Sequence, residues 1–316
     1  MVRRPGAAID LGSTSVHLLV ARLERDGLVT IADESTFLGL GAAIDGTGSL
    51  GPSGRTTLAA TILGYVEQAR AAGSSEPIVM GTEPLRRLGD AVRIVAEVSA
   101  ISGVPLHVLE HDEEALLTLV GLSAGRAVRD ELIVIDIGGG STEIVEIGPE
   151  RLARATGLQV GAGRLTRRHV DHDPPTDAEL RALTEATDDA FKWTPTRPPT
   201  DVVVVGGTAT NLLKLVRRGG DPDRPDSLDR DALALARNVL ASGPAELLAA
   251  QLGLREARVR LLAAGAAIIE IVLERCRVDA VRVVDTGIRE GAIIAAARAG
   301  QGWRERLEEL AHGWIA

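Results

Sequence analysis

Two segments of the chain carry residue types from which chemistry can be built, and they carry them in the same order. Ile9-Asp10-Leu11-Gly12-Ser13-Thr14-Ser15 is followed by the apolar run Val16 to Val20. Ile135-Asp136-Ile137-Gly138-Gly139-Gly140-Ser141 is followed by Thr142-Glu143-Ile144-Val145, and the two segments align without gaps at an offset of 126 residues. Glycine lets a backbone come close to a ligand, and successive N–H groups can cradle phosphate oxygens. Ser13, Thr14, Ser15, Ser141 and Thr142 add hydroxyl donors. An aspartate at a strand end, here Asp10 or Asp136, can hold Mg2+ directly or through water. A third turn, Gly206-Gly207-Thr208-Ala209-Thr210, ends the apolar run Val202 to Val205. One such turn is explained by a tight hairpin with no ligand. Two at matching positions, with a third of the same kind, favour a phosphate-binding cleft.

A carboxylate that could act on water is sought next. In Glu110-His111-Asp112-Glu113-Glu114 the clustered acids at a helix start are explained by the macrodipole, and Asp112 and Glu113 need no other reading. Glu114 differs by context: it lies 22 residues before Asp136, at the expected end of the first lobe, where a carboxylate can serve as general base. Glu143, on the outgoing strand, reads on its own as a solvent-facing strand residue. The histidines make no metal site by spacing, since His107 and His111 straddle a strand-to-helix junction and His169 and His172 lack a zincin glutamate. No GxSxG elbow is present. Among the arginines most read as solvated. Arg86 and Arg289, beside glycine-rich or cleft-edge segments, are the better phosphate clamps because the guanidinium fork suits bidentate contacts.

The elements that must position these residues follow from periodicity. Each aspartate turn reads as a β-hairpin, with a third strand at Leu28 to Ala32 in the first copy and near Leu152 to Thr156 in the second. Alternating helix and strand come next: a helix from Ser53 to Ala72, a strand at Pro77 to Met80, a helix opening at Pro84, a strand at Pro105 to Leu109 and a helix from Asp112 to Ala124. In the second copy Val202 to Val205 reads as a buried parallel strand. Helices are expected at Ala257 to Arg275, Arg289 to Ala299 and Trp303 to His312, with a strand at Ala280 to Val284. Gly39 to Gly54, Trp193 to Thr200 and Arg217 to Asp229 read as loops. The result is an α/β fold of two similar lobes facing one cleft, each a mixed sheet flanked by helices.

Composition narrows the class. At 316 residues, two domains are expected. Lys plus Arg is 35 against 44 for Asp plus Glu, a formal charge of −9 that argues against a general nucleic-acid binder. Aromatics at 2% leave no base-stacking platform. The two lysines, Lys192 and Lys214, lie in no GxxxxGK[ST] loop, which excludes a P-loop NTPase. The single cysteine, Cys276, excludes an internal disulfide and reads as an inert core thiol. With no export signal and no apolar run of membrane-spanning length, a cytoplasmic protein is expected, without a membrane partner. A homodimer is the default oligomer.

Taken together, the series of turns resembles the actin, Hsp70 and sugar-kinase superfamily, and more closely the exopolyphosphatase and guanosine pentaphosphate phosphohydrolase family. The matching segments are AIDLGSTSVHLLVAR from Ala7, GTEPLRRLGD from Gly81, DEEALL from Asp112, VIDIGGGSTEIVEI from Val134, GAGRLTRRHVDHDPPT from Gly161, VVGGTATNL from Val204 and VDTGIREGAI from Val284. The resemblance spans nearly the whole chain and implies the short, two-domain form. It implies two tandem ribonuclease H-like (actin-like) lobes, over 1–125 and 126–301, with a C-terminal helix 302–316 that can pack back on the first. The implied activity is release of terminal phosphate from inorganic polyphosphate, or from pppGpp, with Mg2+ or Mn2+. A non-hydrolytic regulator that binds polyphosphate or (p)ppGpp is the reading of another class. The resemblance carries the catalytic glutamate onto Glu114. It carries metal-associated acids onto Asp136 and Glu143, with Asp10 as the corresponding acid of the first turn. Phosphate binding maps onto Gly12, Ser13, Thr14 and Ser15, onto Gly138, Gly139, Gly140, Ser141 and Thr142, onto Gly206, Gly207 and Thr208, and onto Arg86. This chain departs from the pattern at Thr14, usually Asn, at Phe37, usually Arg, at Glu110-His111, usually Ser-Gly, and at Gly81-Thr82-Glu83-Pro84, usually Ala-Thr-Ser-Ala. Acids gained and an arginine lost near a polyanion site weaken binding or change the substrate.

Overall fold

The structure is a computed structural model and describes residues 4–25, 27–124, 131–148 and 153–313. The chain forms two compact units, Met1–Val128 with Thr286–Ala316, and Arg129–Asp285. The expected lobe boundary at 125/126, the Leu152 start of the second third strand and the last residues of the C-terminal helix lie outside the described residues.

In the first unit the hairpin forms as expected: β1 (Gly6–Leu11) pairs antiparallel with β2 (Ser15–Glu24), and β2 with β3 (Gly27–Phe37). β4 (Ile78–Gly81) and β5 (Leu106–Val108) then add in parallel, giving the order β3-β2-β1-β4-β5. Strand alternation divides β1 between two faces. Ala7, Ile9 and Leu11 enter a core with Val16, Leu18 and Val20 and with Leu58, Ile62 and Val66 of the helix Gly51–Ala71. The opposite face of β1 begins with Gly6, where a Cβ would stand 2.9 Å from Ile293 Cγ2. That face is covered by the helix Ile288–Ala299, which packs on β1 and on the helix His111–Ser123. The approach of these two helices needs glycine on both: a Cβ on Gly291 would run into the Leu117 carbonyl oxygen, and one on Gly121 would lie 2.5 Å from Gly287 O. The helix Ile288–Ala299 therefore belongs to the first unit, whereas the sequence reading assigns it to the second lobe. The stretch Gly39 to Gly54 also differs from expectation. It holds the helix Leu40–Thr47, bracketed by Gly39 at φ 62° and Gly48 at φ 71°, with Leu40 and Ile44 buried.

The second unit repeats the plan. β6 (Leu132–Ile137), β7 (Thr142–Ile147) and β8 (Ala153–Leu158) form the antiparallel set, and β9 (Asp201–Val205) and β11 (Ala280–Val284) add in parallel. The order β8-β7-β6-β9-β11 matches β3-β2-β1-β4-β5, with a short strand β10 (Ser227–Asp229) added antiparallel to β11. The expected helix Ala257 to Arg275 is two helices, Glu256–Val259 and Leu262–Cys276. The second is close to apolar all round and buries Ile268, Ile269 and Val272 in the core with Ile135, Val204 and Leu212. Cys276 ends it, buried, and burial followed by the nearby Glu146 charge pushes its thiol up to about 12, in keeping with an inert core thiol. Among the described residues no helix is long and apolar enough to cross a membrane.

Candidate active site

In each unit the candidate residues gather at the C-terminal ends of adjacent parallel strands, the edge at which α/β sheets bind ligands. In the first unit these ends are Asp10–Ser15 after β1, Gly81–Glu83 after β4 and Glu110–Glu114 after β5. In the second they are Asp136–Thr142 after β6 and Gly206–Thr208 after β9.

The first turn is closed by Gly12 N donating to Ser15 O at 3.1 Å. Its carbonyls are tied down from the segment that follows β3: Gly41 N donates to Ser13 O at 2.8 Å and Gly39 N to Thr14 O at 2.9 Å. Carbonyl and following N–H point in opposite directions across a trans peptide, so tying Ser13 O to that segment aims the Thr14 N–H away from it. Phe37 pairs directly with Ser15 in the ladder and is half-exposed, so this departure from the family pattern lies beside the turn itself. The Ser13 hydroxyl donates to Glu83 Oε2 at 2.6 Å in the interior. Arg289, expected as a clamp, instead donates to Asp33 Oδ1 at 2.6 Å. Burial pulls the Arg289 guanidinium down, but Glu290, Asp33 and Asp10 outweigh it and raise it above its ordinary value.

Glu114 lies in the first turn of the helix His111–Ser123 and is only 6% exposed. Its carboxylate is ion-paired with Arg86, which also donates to Leu109 O at 2.5 Å and meets His111 Nδ1 at 3.1 Å. Arg86 is thus bound to the start of the helix at three points. Glu113 faces another way. It accepts from Glu110 N at 2.8 Å, closing a capping box, and is ion-paired with Arg304, which also donates to Val108 O at 2.8 Å. Burial alone would raise the Glu113 carboxyl, but Arg304 together with the Glu110 N–H holds it below its ordinary value. The acids at this helix start therefore divide by their partners. Glu113 caps and anchors, and Glu114 is held at the strand-end edge.

In the second unit Asp136 and Glu143 stand directly opposite one another on β6 and β7, so both side chains leave the same face of the sheet. Glu143 is buried, not the solvent-facing residue that its neighbours alone suggest. Like charges so placed repel, and a hard divalent cation suits a pair of carboxylate oxygens. Between them, the turn is fixed by its carbonyls. Ala162 N donates to Gly138 O at 3.0 Å, Arg164 N to Gly139 O at 2.9 Å and Arg164 Nε to Gly140 O at 3.1 Å. By the trans-peptide argument the N–H groups of Gly139, Gly140 and Ser141 point away from the helix Ala162–His169. Arg164 is thereby a buried part of the turn, not a solvated residue. The approach requires glycine at Gly161, whose Cβ would lie 2.5 Å from Gly140 C and 2.6 Å from Ser141 N. Thr142 Oγ1 donates to Val160 O at 2.6 Å, and Thr208 Oγ1 to Ile137 O at 2.9 Å. Both hydroxyls brace the turns. Gly206 has φ 86°, and a Cβ there would stand 2.6 Å from Asp136 Oδ1. The third turn is thereby set against the acid of the second. Arg164 is a residue that sequence reasoning passed over, and Glu83 is marked there only as part of the Gly81–Pro84 departure, without its bond to the first turn. The signal for Glu83 was its place immediately after a strand end, in a segment already seen to depart from the family pattern.

The model of the Ppx/GppA phosphatase family matches residues 19–298. The chain belongs to the Ppx/GppA phosphatase family. It is accordingly a phosphohydrolase. It is 28% identical over 305 residues to Exopolyphosphatase 1 of Mycobacterium leprae, covering 90% of this chain and 87% of that protein. It is 29% identical over 229 residues to Exopolyphosphatase 2 of Mycobacterium tuberculosis, covering 67% and 70%. The crystal structure of an Aquifex aeolicus Ppx/GppA phosphatase superposes with a TM-score of 0.72 at 25% identity, over 92% of this chain and 99% of that one. An exopolyphosphatase structure from Cytophaga hutchinsonii shares the fold at a TM-score of 0.79 and 21% identity, over 93% and 98%. This phosphatase therefore has the actin-like fold of its family, and the repeated strand order of its two units is that fold's internal duplication.

Proposed function

We propose that this phosphatase is an exopolyphosphatase that removes terminal phosphate from inorganic polyphosphate by attack of water. The observation that carries the chemistry is the buried Glu114 carboxylate, held at the strand-end edge by an arginine that is itself fixed at further points. Glu114 accepts the proton of the attacking water. Arg86 keeps that carboxylate in one orientation. The turns Gly12 to Ser15, Gly138 to Thr142 and Gly206 to Thr208 bind phosphate oxygens through N–H groups aimed away from the segments that brace them, those of Thr14, Gly139, Gly140 and Ser141 among them, while the Gly12 and Gly138 N–H groups close the turns themselves. Donors of this kind are worth about 3–4 kcal/mol each where they resemble an oxyanion-hole donor. Asp136 and Glu143 would hold Mg2+ or Mn2+, with Asp10 as the matching acid of the first turn, and the ion would neutralise charge on the transferring group. The mycobacterial relatives are exopolyphosphatases, which supports polyphosphate as the substrate class.

The test is phosphate release with Mg2+ from short polyphosphate, long polyphosphate, pppGpp and ATP, using wild type and Glu114→Gln. Loss of a general base lowers turnover by about 100-fold or more, and that loss is expected on polyphosphate with the fold intact. Equal activity in Glu114→Gln rejects the base. Faster release from pppGpp reassigns the substrate. Tight binding without turnover makes the protein a polyphosphate or (p)ppGpp sensor.

A further inference from the structure

We infer that the groove between the helix Gly206–Gly219 and β11 is a subsite for the trailing phosphates of a polyphosphate whose end lies at the Gly206–Thr208 turn, and that it makes the enzyme favour long polymers. The inference rests on the exopolyphosphatase reading given above.

The groove has a volume of about 510 Å3, a size that ligand sites commonly have. Val284 of β11 stands beside Val205 of β9 in the ladder, so the groove opens one strand over from the third turn, at the same strand-end edge. Thr210, Leu213, Lys214 and Arg217 line one wall, and their spacing puts them on one face of the helix that begins with that turn. Arg282 to Asp285 line the other wall. The helix advances about 10 Å from Thr210 to Arg217, and the strand about 10 Å from Asp285 back to Arg282, so both walls lead the same distance away from the turn. Two cations in the groove are fixed without being neutralised. Lys214 Nζ donates to Gly253 O at 3.0 Å, and Arg218 donates to Leu252 O. These carbonyls end the helix Ala245–Leu252, and among the described residues neither cation meets a carboxylate. A helix C-terminus carries only about half a negative charge, so most of the charge on the two side chains is uncancelled. The contact is built: Gly253 has φ 59°, and a Cβ there would stand 2.6 Å from Arg218 Nη1. Arg217 and Arg282 are paired with Asp226 and Asp201. Asp285 is exposed at the mouth and opposes an anion there, one carboxylate against the two cations farther in. Cations already fixed lose little rotamer freedom when an anion binds. A repeating polyanion that starts at the turn can reach them, whereas a substrate of few phosphates ends before the groove.

The test is the double variant Lys214→Gln, Arg218→Gln, with KM and kcat measured on long polyphosphate and on tripolyphosphate. The expected result is a KM for long polyphosphate raised about tenfold and less dependent on salt, with kcat and the tripolyphosphate KM changed by less than about threefold. The exchange Lys214→Arg, Arg218→Lys keeps both charges and is expected to stay within about threefold of wild type on both substrates. An unchanged KM for long polyphosphate overturns the inference. So does a rise of equal size on both substrates, since the cations then serve the fold or the reacting centre. A charge-keeping exchange as impaired as the double glutamine variant also overturns it, because the two side chains then act only as caps of the helix Ala245–Leu252. If the double variant does not fold, Lys214→Gln alone decides by the same comparison of the two substrates. If wild type releases no phosphate from polyphosphate, the proposed activity fails separately. Equilibrium binding of long inorganic polyphosphate then reads the inference, with weaker binding by Lys214→Gln supporting it and equal or tighter binding overturning it.

Discussion

Arg86 gathers one carboxylate, one carbonyl and one imidazole around a single planar fork. Lysine carries the same charge without the fork, so Arg86→Lys can pair with Glu114 or reach Leu109 O but cannot hold all of these partners in one plane. Both Arg86→Gln and Arg86→Lys are expected to lower kcat by about tenfold or more, a loss read by steady-state kinetics on polyphosphate. Full activity in Arg86→Lys would reduce Arg86 to a source of charge. The Gly206 position is constrained twice, by a positive φ and by the Asp136 carboxylate that a Cβ would strike. Gly206→Ala is expected to displace the third turn from Asp136, weakening metal-dependent activity and costing about 1–3 kcal/mol of stability, which a denaturant melt would show. Cys276 gives a simpler reading. With its thiol pushed up to about 12, it is expected to stay unlabelled by a thiol reagent at mildly alkaline pH until the protein is unfolded.

At the scale of elements, the helix that carries Glu114 is anchored from a segment distant in sequence. Arg304, in the short 3-10 turn Arg304–Arg306, holds Glu113 and the Val108 carbonyl, and Trp303 beside it stands edge-on to His107. The Glu113 carboxyl is lowered in the fold, so the pair contributes stability above the unfolded carboxylate pKa, and that contribution is lost as pH falls through the lowered folded value. Because the pair is partly solvated, Arg304→Gln is expected to cost about 1 kcal/mol at neutral pH. The gap between wild type and variant should close below about pH 4 in paired thermal melts, and a gap independent of pH would remove the ion pair from the account. His107 is lowered chiefly by burial, then by Arg304, and shifts stability in the same sense: the neutral ring is favoured in the fold, and stability falls as pH drops below its unfolded value. The sequence made the hairpins, the parallel strands and the Glu114 helix legible because their apolar runs and glycine punctuation are local. It hid the helix Leu40–Thr47, since the glycines that end a helix in a left-handed cap look like those of a loop. It hid β10 as well, a three-residue strand with one apolar side chain, which exists because β11 has a free edge to pair with. The Ser13–Glu83 bond spans 70 residues and follows from β1 lying beside β4, which no local pattern encodes.

At the scale of the whole molecule, the chain is a duplicated α/β plan whose two copies close differently. The second unit is one continuous stretch, Arg129–Asp285, with its own sheet and a core built around Ile135, Val204 and Ile268. The first is assembled from two pieces, because the face of β1 carrying Gly6 and the helix His111–Ser123 are covered when the chain returns as Ile288–Ala299. Gly6 and Gly121, which permit this contact together with Gly291 of the returning helix, offer no side chain of their own to shield that surface when the helix is absent. A fragment of residues 129–285 is therefore expected to fold cooperatively by itself, with a single sigmoidal urea transition and dispersed amide NMR resonances. A fragment of residues 1–128 is expected to be aggregated or partly ordered and to gain structure when a peptide spanning 286–316 is added. A duplicated plan with equal self-sufficiency would give two fragments of similar stability. Unequal behaviour, rescued by the C-terminal peptide, would show that the returning helix completes the unit that carries Glu114. In that case truncation of the last 31 residues, 286–316, would abolish activity through loss of that unit's fold.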